Sequence, residues 1–305
     1  MIGRRTILKT ALGAAAAAAL PRALAAAGAK IDVARVTDSI ALLAGAGGNV
    51  LALSTPEGLV VVDSGAAAST ADLQAALGAL PNGNKIHTLF NTHWHHEQTG
   101  GNEALGRGAA IVAHEKTRQR LSIGYYVPAE DRYEKPVPVA AQPTESFYTT
   151  GETKIATQRV EYGYLLEAHT DGDCYVHFRD ANVIAVGDAV SLTRDPELDW
   201  FGGGWLGGRV DALDLLLKLG NASTKYVPSH GGAASRADVQ KERDMSLKLF
   251  ERFVDLVRKG QSADDIFAAG IMNDTGRPWA DPKRFVHDAF KGFWAHHNTL
   301  MPDIV

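Results

Sequence analysis

Residues 90–102, Phe-Asn-Thr-His-Trp-His-His-Glu-Gln-Thr-Gly-Gly-Asn, constrain the fold of this chain more than any other stretch. An apolar run, Ile86 to Phe90, leads into it and reads as a strand; Thr99 to Asn102 read as the start of a helix. Between them stand His93, His95 and His96, followed by Glu97 and Gln98. Gathering so many polar donors at a strand end works against folding unless they share a bound cation. On an extended segment His93 and His95, two residues apart, point to the same side.

The rest of the donor set lies downstream, again beside apolar runs. His169 sits in Glu167-Ala-His-Thr-Asp-Gly-Asp173, just before the strand-like Cys174–Phe178. Asp188 follows the apolar run ending at Val186, and His230 follows the short run Lys225–Pro228. A tetrahedral zinc site needs three protein ligands and an open position, and His93, His95 and His169 are the obvious three. Three neutral imidazoles keep zinc strongly Lewis acidic and bring the pKa of bound water towards ~7, so that metal-bound hydroxide becomes available. Asp188 is placed to bridge to a second ion. The chain has one cysteine, Cys174, so neither an intrachain disulfide nor a cysteine cluster is available, and any metal rests on His, Asp and Glu. Cys174 reads as a small apolar packing residue.

Around these points the pattern alternates between strands and helices. Asn49–Ser54 and Leu59–Val62 flank the turn Thr55-Pro-Glu-Gly58 as a hairpin ending in Asp63-Ser-Gly65. Asp72–Leu80 has helical spacing, Ala109–Ala113 reads as a strand and Glu115–Leu121 as a helix. Residues 124–147 show no period and read as one long loop; Lys154–Val160 reads as a single strand. Residues 199–208, Asp-Trp-Phe-Gly-Gly-Gly-Trp-Leu-Gly-Gly, either line a pocket or tuck Trp200 and Trp205 under later helices. Tyr162 and Tyr164 either meet substrate or finish a strand. Val210–Leu219, Arg236–Lys259, Ala263–Ala269 and Pro282–His297 are amphipathic helices. With no linker or repeat, one domain of sheet layers covered by helices is the economical reading.

The first segment has the anatomy of an export signal: Arg4, Arg5 and Lys9, an apolar run from Thr10 to Leu20, and small residues at Ala23–Ala27. Arg4-Arg5 with Leu8-Lys9 resembles the twin-arginine consensus, which implies passage to the periplasm of an already folded chain. Residues 1–27 are therefore set apart from residues 28–305. Without that segment the chain has 27 basic against 35 acidic residues, an acidic balance that argues against nucleic acid and anionic membranes as partners.

Five motifs, in order, resemble the metallo-β-lactamase fold superfamily: Asp63–Gly65, Thr92–Asn102, Ala168–Asp173, Val186–Val190 and Pro228–Gly232. The resemblance spans about Ile40 to Gly232. It implies an α/β fold, a four-layer αβ/βα sandwich with the metal site at its edge, here with extra C-terminal helices. It implies hydrolysis of a small ester, amide or lactam, or phosphoester, and some members are redox enzymes on iron. His93, His95 and His169 match the family's first metal site; Asp188 matches its bridging carboxylate, and His230 the last histidine of its second site. Asp63 is placed near the site by the same analogy. The family's His-x-His-x-Asp-His differs here in two places: Glu97 stands for the Asp and Gln98 for the last His, while His96 falls at the variable position. A neutral amide is a poor zinc ligand. The expectation is one tightly bound Zn2+ with a weakened second site, iron or manganese as other candidates, and Glu97 and Asp188 as catalytic carboxylates on a small-molecule substrate. A mononuclear-iron redox enzyme, and an exported binding or assembly protein with a degraded second site, are the rival readings. The remaining histidines, 87, 114, 177, 287, 296 and 297, match no ligand motif, and the sequence carries no signal for oligomeric state.

Overall fold

The computed structural model describes residues 30–127 and 131–300, so the export segment read at residues 1–27 lies outside the described residues. Seven strands form the first sheet: β1 (Asp32–Arg35), β2 (Ile40–Ala46), β3 (Gly48–Thr55), β4 (Gly58–Val62), β5 (Ile86–Asn91), β6 (Ala110–His114) and β9 (Glu145–Phe147), side by side in that order. The first four pair antiparallel; β4, β5, β6 and β9 are parallel. The second sheet has the order β10 (Thr150–Ile155), β11 (Gln158–Tyr164), β12 (Cys174–Phe178), β13 (Val183–Gly187), β14 (Lys225–Pro228), antiparallel except for the last pair.

The apolar runs are continuous because both faces of these strands are covered. Successive side chains alternate between faces. Val60 and Val62 of β4 and Phe90 of β5 enter the layer between the sheets, where they meet Val160, Val176, Val183, Ala185 and Val227. Leu59, Val61 and Leu89 point the other way, onto α1 (Thr70–Gly78) through Leu73 and Leu77 and onto α3 (Asn102–Leu105) through Leu105. The second sheet repeats the scheme. Ile184 and Val186 leave the central layer and pack on α5 (Leu206–Leu219). The result is the four-layer αβ/βα sandwich. A fourth apolar cluster joins α5 through Leu206 to α6 (Arg236–Arg258), α7 (Ala263–Ala268) and α8 (Pro282–Leu300). Among the described residues no helix is long and apolar enough to cross a membrane.

Local departures from the sequence reading have physical causes. The expected strand 154–160 is a hairpin, β10–β11, whose turn places Ala156 at φ 53°, a left-handed conformation that alanine gives no sign of. The expected loop 124–147 carries a small hairpin, β7 (Tyr125–Val127) and β8 (Arg132–Glu134), and then β9, which extends the first sheet. The helix expected from Thr99 is two short ones, α2 (His96–Thr99) and α3, the first starting directly after His95. α4 (Glu115–Ser122) follows β6 as expected.

Candidate metal centre

Open parallel sheets present their functional groups at the carboxyl ends of the strands, and both sheets do so here at one edge of the sandwich. Asp63 follows β4, His93 and His95 follow β5, Asp188 follows β13, and His230 follows β14. The antiparallel β12 starts at the same edge, which brings in the His169 loop ahead of it. Asp173 closes that loop by accepting from the Thr170 N–H at 2.8 Å and its hydroxyl at 2.6 Å, and from the His169 N–H. Gly187 holds φ 56° immediately before Asp188, and a Cβ there would meet Thr92 at 3.1 Å, so the turn out of β13, packed against the Thr92 segment that follows β5, is reserved for glycine.

The three expected rings converge. Among the described residues, His93, His95 and His169 are the one group of three metal-ligating side chains whose donor atoms all lie within 4.8 Å of one another. Each ring is fixed by a bond to the nitrogen that faces away. The His169 Nδ1–H donates to the Glu197 carbonyl at 2.9 Å, because a carbonyl can only accept, and this leaves Nε2 as a lone pair. The His95 Nε2–H donates to Asp199 Oδ2 at 3.0 Å, leaving Nδ1 free. The Thr92 hydroxyl donates to Asp63 Oδ2 at 2.8 Å and stands 3.1 Å from His93 Nδ1, which donates to it, leaving Nε2 free. That His93 Nε2 is buried with no partner.

The His95 Nδ1 and His169 Nε2 lone pairs so directed are 3.2 Å apart, a repulsive contact unless a cation lies between them. The spacing matches the ~3.3 Å edge of a tetrahedron with metal–nitrogen bonds of about 2.0–2.1 Å. The donor set therefore fits a metal ion on observed grounds: an orphaned ligand atom, two opposed lone pairs, and three fixed tautomers.

Without a metal ion the electrostatics differ from ring to ring. Burial pulls His93 well below the ordinary imidazole value, helped by the positive charge of His95, His169, Arg194 and His230, which keeps the ring neutral and able to ligate. Burial also opposes the charged form of His95, but the Asp199 bond and charge outweigh it and hold that ring above the ordinary value, so that without a metal ion the cation shared by His95 Nδ1 and His169 Nε2 is a proton, which a metal ion displaces. Burial pushes the Asp63 carboxyl up to about 8 against its two bonds from Thr92, and a cation on His93 favours its ionised form. For Asp188 burial works towards the neutral acid, yet His169, Arg194, His230 and His95 hold it below the usual carboxylate value.

A family model described as metallo-beta-lactamase superfamily matches residues 44–235, which spans all five strand-end motifs. The chain belongs to the metallo-beta-lactamase superfamily. Solved structures with the same fold include a metallo-beta-lactamase from Pontibacter korlensis, 20% identical at TM-score 0.57, covering 72% of this chain and 99% of its own length. The DIM-1 metallo-beta-lactamase is 16% identical at TM-score 0.57 and covers 72% of this chain and 97% of its own. No curated protein gives a significant match.

The other residues expected from the superfamily motif sit on one side of the histidine triad. Asp188 Oδ2 is 3.6 Å from His93 Nε2 and accepts from Gln98 Nε2 at 3.3 Å. His230 Nε2 lies 3.8 Å from Asp188 Oδ1 and 3.6 Å from Glu97 Oε2, and neither it nor the buried Gln98 Oε1 has a hydrogen-bond partner. His96 turns to the surface beside Glu134, 3.6 Å away. Tyr162 packs against Phe90 and Phe147, and Tyr164 stacks on His114; both finish the strand and stay off the site. The Cys174 thiol is buried and donates to the Asn91 carbonyl.

The sequence reading missed the parts played by Arg194, Glu197 and Asp199. Asp199 and the Glu197 carbonyl orient two of the three rings, and Arg194 Nη2 bonds Asp188 Oδ1 at 2.8 Å. The segment is pinned to the His169 loop by three main-chain bonds: Asp199 N–H to His169 O, Asp171 N–H to Gly202 O, and Trp205 N–H to Glu167 O. A Cβ at Gly204 would fall 1.9 Å from the His169 carbonyl, so the close approach needs glycine. The glycine-rich composition was the visible signal. The aromatic residues divide as follows: Trp200 and Phe201 line a cleft of about 510 Å³, whereas Trp205 stacks on His296 of α8. Trp94 and Tyr125 complete the aromatic walls, His95 and Asp199 lie at the floor, and Lys291 of α8 stands on the rim.

Proposed function

We propose that this chain is an exported metal-dependent hydrolase acting on a small ester, amide or lactam, or phosphoester. The observation that carries the reading is the set of three imidazoles whose outward nitrogens are all engaged, leaving three lone pairs aimed at one point. A divalent ion held by His93, His95 and His169, zinc being the ion this donor set suits best, supplies Lewis acidity that makes water acidic and polarises a carbonyl or phosphoryl oxygen.

The chain's own residues do the rest. Asp199, the Glu197 carbonyl and the Thr92–Asp63 pair fix the ring tautomers, so no reorganisation is needed when the ion arrives. Asp188, kept ionised beside His93, orients the attacking water, which sheds its proton away from this already paired carboxylate. Glu97, at the more exposed side next to His230, is the route by which that proton leaves for solvent. The aromatic cleft, which reaches the site at His95 and Glu97, seats the body of the substrate. The twin-arginine-like segment delivers the folded, metal-loaded chain to the periplasm. The structural relatives named as metallo-beta-lactamases make a lactam one class to try, but the fold hosts many chemistries and the site decides.

The test is turnover. Mature protein stripped with a chelator and reloaded with zinc, manganese or iron is assayed against an ester, lactam, amide and phosphoester panel. Reloaded wild type hydrolyses at least one class and His169→Ala none. Undiminished turnover by His169→Ala, or none by the loaded wild type, would overturn the reading.

A further inference from the structure

One charged group beside the triad has no role in the chemistry above. Arg194 extends along the Asp188 side of the site with its Nη2 at 2.8 Å from Asp188 Oδ1. Its backbone is held in place by Arg277, which donates to the Arg194 carbonyl and, at 2.9 Å, to the Ser191 carbonyl. The other Asp188 oxygen accepts the Gln98 amide at 3.3 Å. Both oxygens of this buried carboxylate are thus taken by donors of the chain itself. What remains nearby is His230 Nε2 and Gln98 Oε1, both without hydrogen-bond partners, and the Glu97 carboxylate.

These are the atoms a second cation would need, and Asp188 Oδ1 is the one they would have to share with it. A guanidinium keeps its charge under all ordinary conditions and is more weakly hydrated than an ammonium, so it tolerates a half-buried position of this kind. A divalent ion brought to the same oxygen would meet that fixed charge at close range, and in a low-dielectric setting the repulsion is large. The amide at position 98 fits the same picture: its N–H adds a second donor to Asp188, where a metal ligand would have to present a lone pair.

We propose that Arg194 is a built-in cation that takes the second cation position beside the histidine triad, so that the centre holds a single metal ion. The proposal rests on the reading of His93, His95 and His169 as a metal site. The guanidinium neutralises Asp188 in the place of an ion and fixes the side of the site on which water is oriented.

Zinc titration of chelator-stripped protein, followed by calorimetry and checked by metal analysis after gel filtration, reads the number of ions directly. Wild type and Gln98→His each take up one equivalent, because both keep Arg194. The double variant Gln98→His with Arg194→Ala takes up two, since the introduced imidazole, Asp188 and His230 are then free to ligate. Two tight equivalents in wild type or in Gln98→His, or a single one in the double variant, would overturn the proposal. If the Gln98→His chains fail to fold, Gln98→Glu with Arg194→Ala asks the same question, because it removes both donors from Asp188 and supplies a ligand at 98: a second equivalent supports the proposal and its absence overturns it. Uptake of no zinc by wild type removes the metal reading and this proposal with it, whereas two equivalents with normal turnover remove this proposal alone.

Discussion

A histidine ring offers two nitrogens, and whether three rings can share one ion depends on which nitrogen of each is already engaged. Here that choice is made by residues outside the histidine motif. Asp199 is 104 positions from His95 and Glu197 is 28 from His169, so nothing in the local sequence pattern announces either contact. The histidines themselves were legible, because a dense run of donors at a strand end is visible in a one-dimensional sequence. Their orienting partners were not, and neither was Arg194, an arginine in an ordinary loop until the fold puts it on Asp188. Removing an orienting carboxylate typically costs about 10–100-fold in metal affinity. Asp199→Ala is accordingly expected to weaken zinc binding by about that factor, in competition with a chromophoric chelator, while leaving the melting temperature of the metal-free protein nearly unchanged. An affinity equal to wild type would show that the Asp199 bond does not set the His95 tautomer.

Elements buried on both faces were read well from sequence, and those defined by a single unusual backbone angle or an edge position were not. β4, β5 and β13 are short apolar runs with little choice but to be interior strands. The β10–β11 hairpin hid because Ala156 makes its turn, and β9 because a three-residue edge strand has too few positions to show alternation. Helix–loop connections behind the site were equally hidden. Arg209 of α5, fully buried, bonds Glu242 of α6 at 2.7 Å and donates to the Asp188 carbonyl at 3.0 Å, so one buried pair ties two helices to the loop that carries Asp188. Taking away one partner of such a pair strands a charge and costs about 3–5 kcal/mol, which in a chain of this size lowers the melting temperature by on the order of 10 °C. Glu242→Leu should show this loss in a thermal melt, and Arg209→Met with Glu242→Leu should recover part of it, because the fully buried Arg209 is no longer stranded while Arg277, which also reaches Glu242 at 3.4 Å, still loses its carboxylate partner. A double variant no more stable than Glu242→Leu would contradict the assignment.

On the scale of the whole molecule, the metal edge and all of the sandwich strands from β3 onwards lie within residues 44–235, and the structural relatives cover 72% of the chain with nearly all of their own length. The helices after residue 235 lie beyond the family match, with a core of their own built on Leu249, Phe253, Ile266 and Val286. They are not a detached appendage: Arg284, Asp288 and Lys291 of α8 border the cleft above His95. The amphipathic spacing of these helices was plain in the sequence, but their position was not, since spacing shows that a face is buried and not against what. Strand ends, a pinned glycine-rich loop and an added helical layer all converge on His93, His95 and His169, and the most direct measurement is the metal content of these sites. Purified mature protein equilibrated with micromolar zinc and freed of excess is predicted to retain one ion per chain, and His95→Ala with His169→Ala to retain essentially none while keeping its fold by circular dichroism. A folded wild type without metal, or a double variant that holds as much as wild type, would contradict the three-histidine centre.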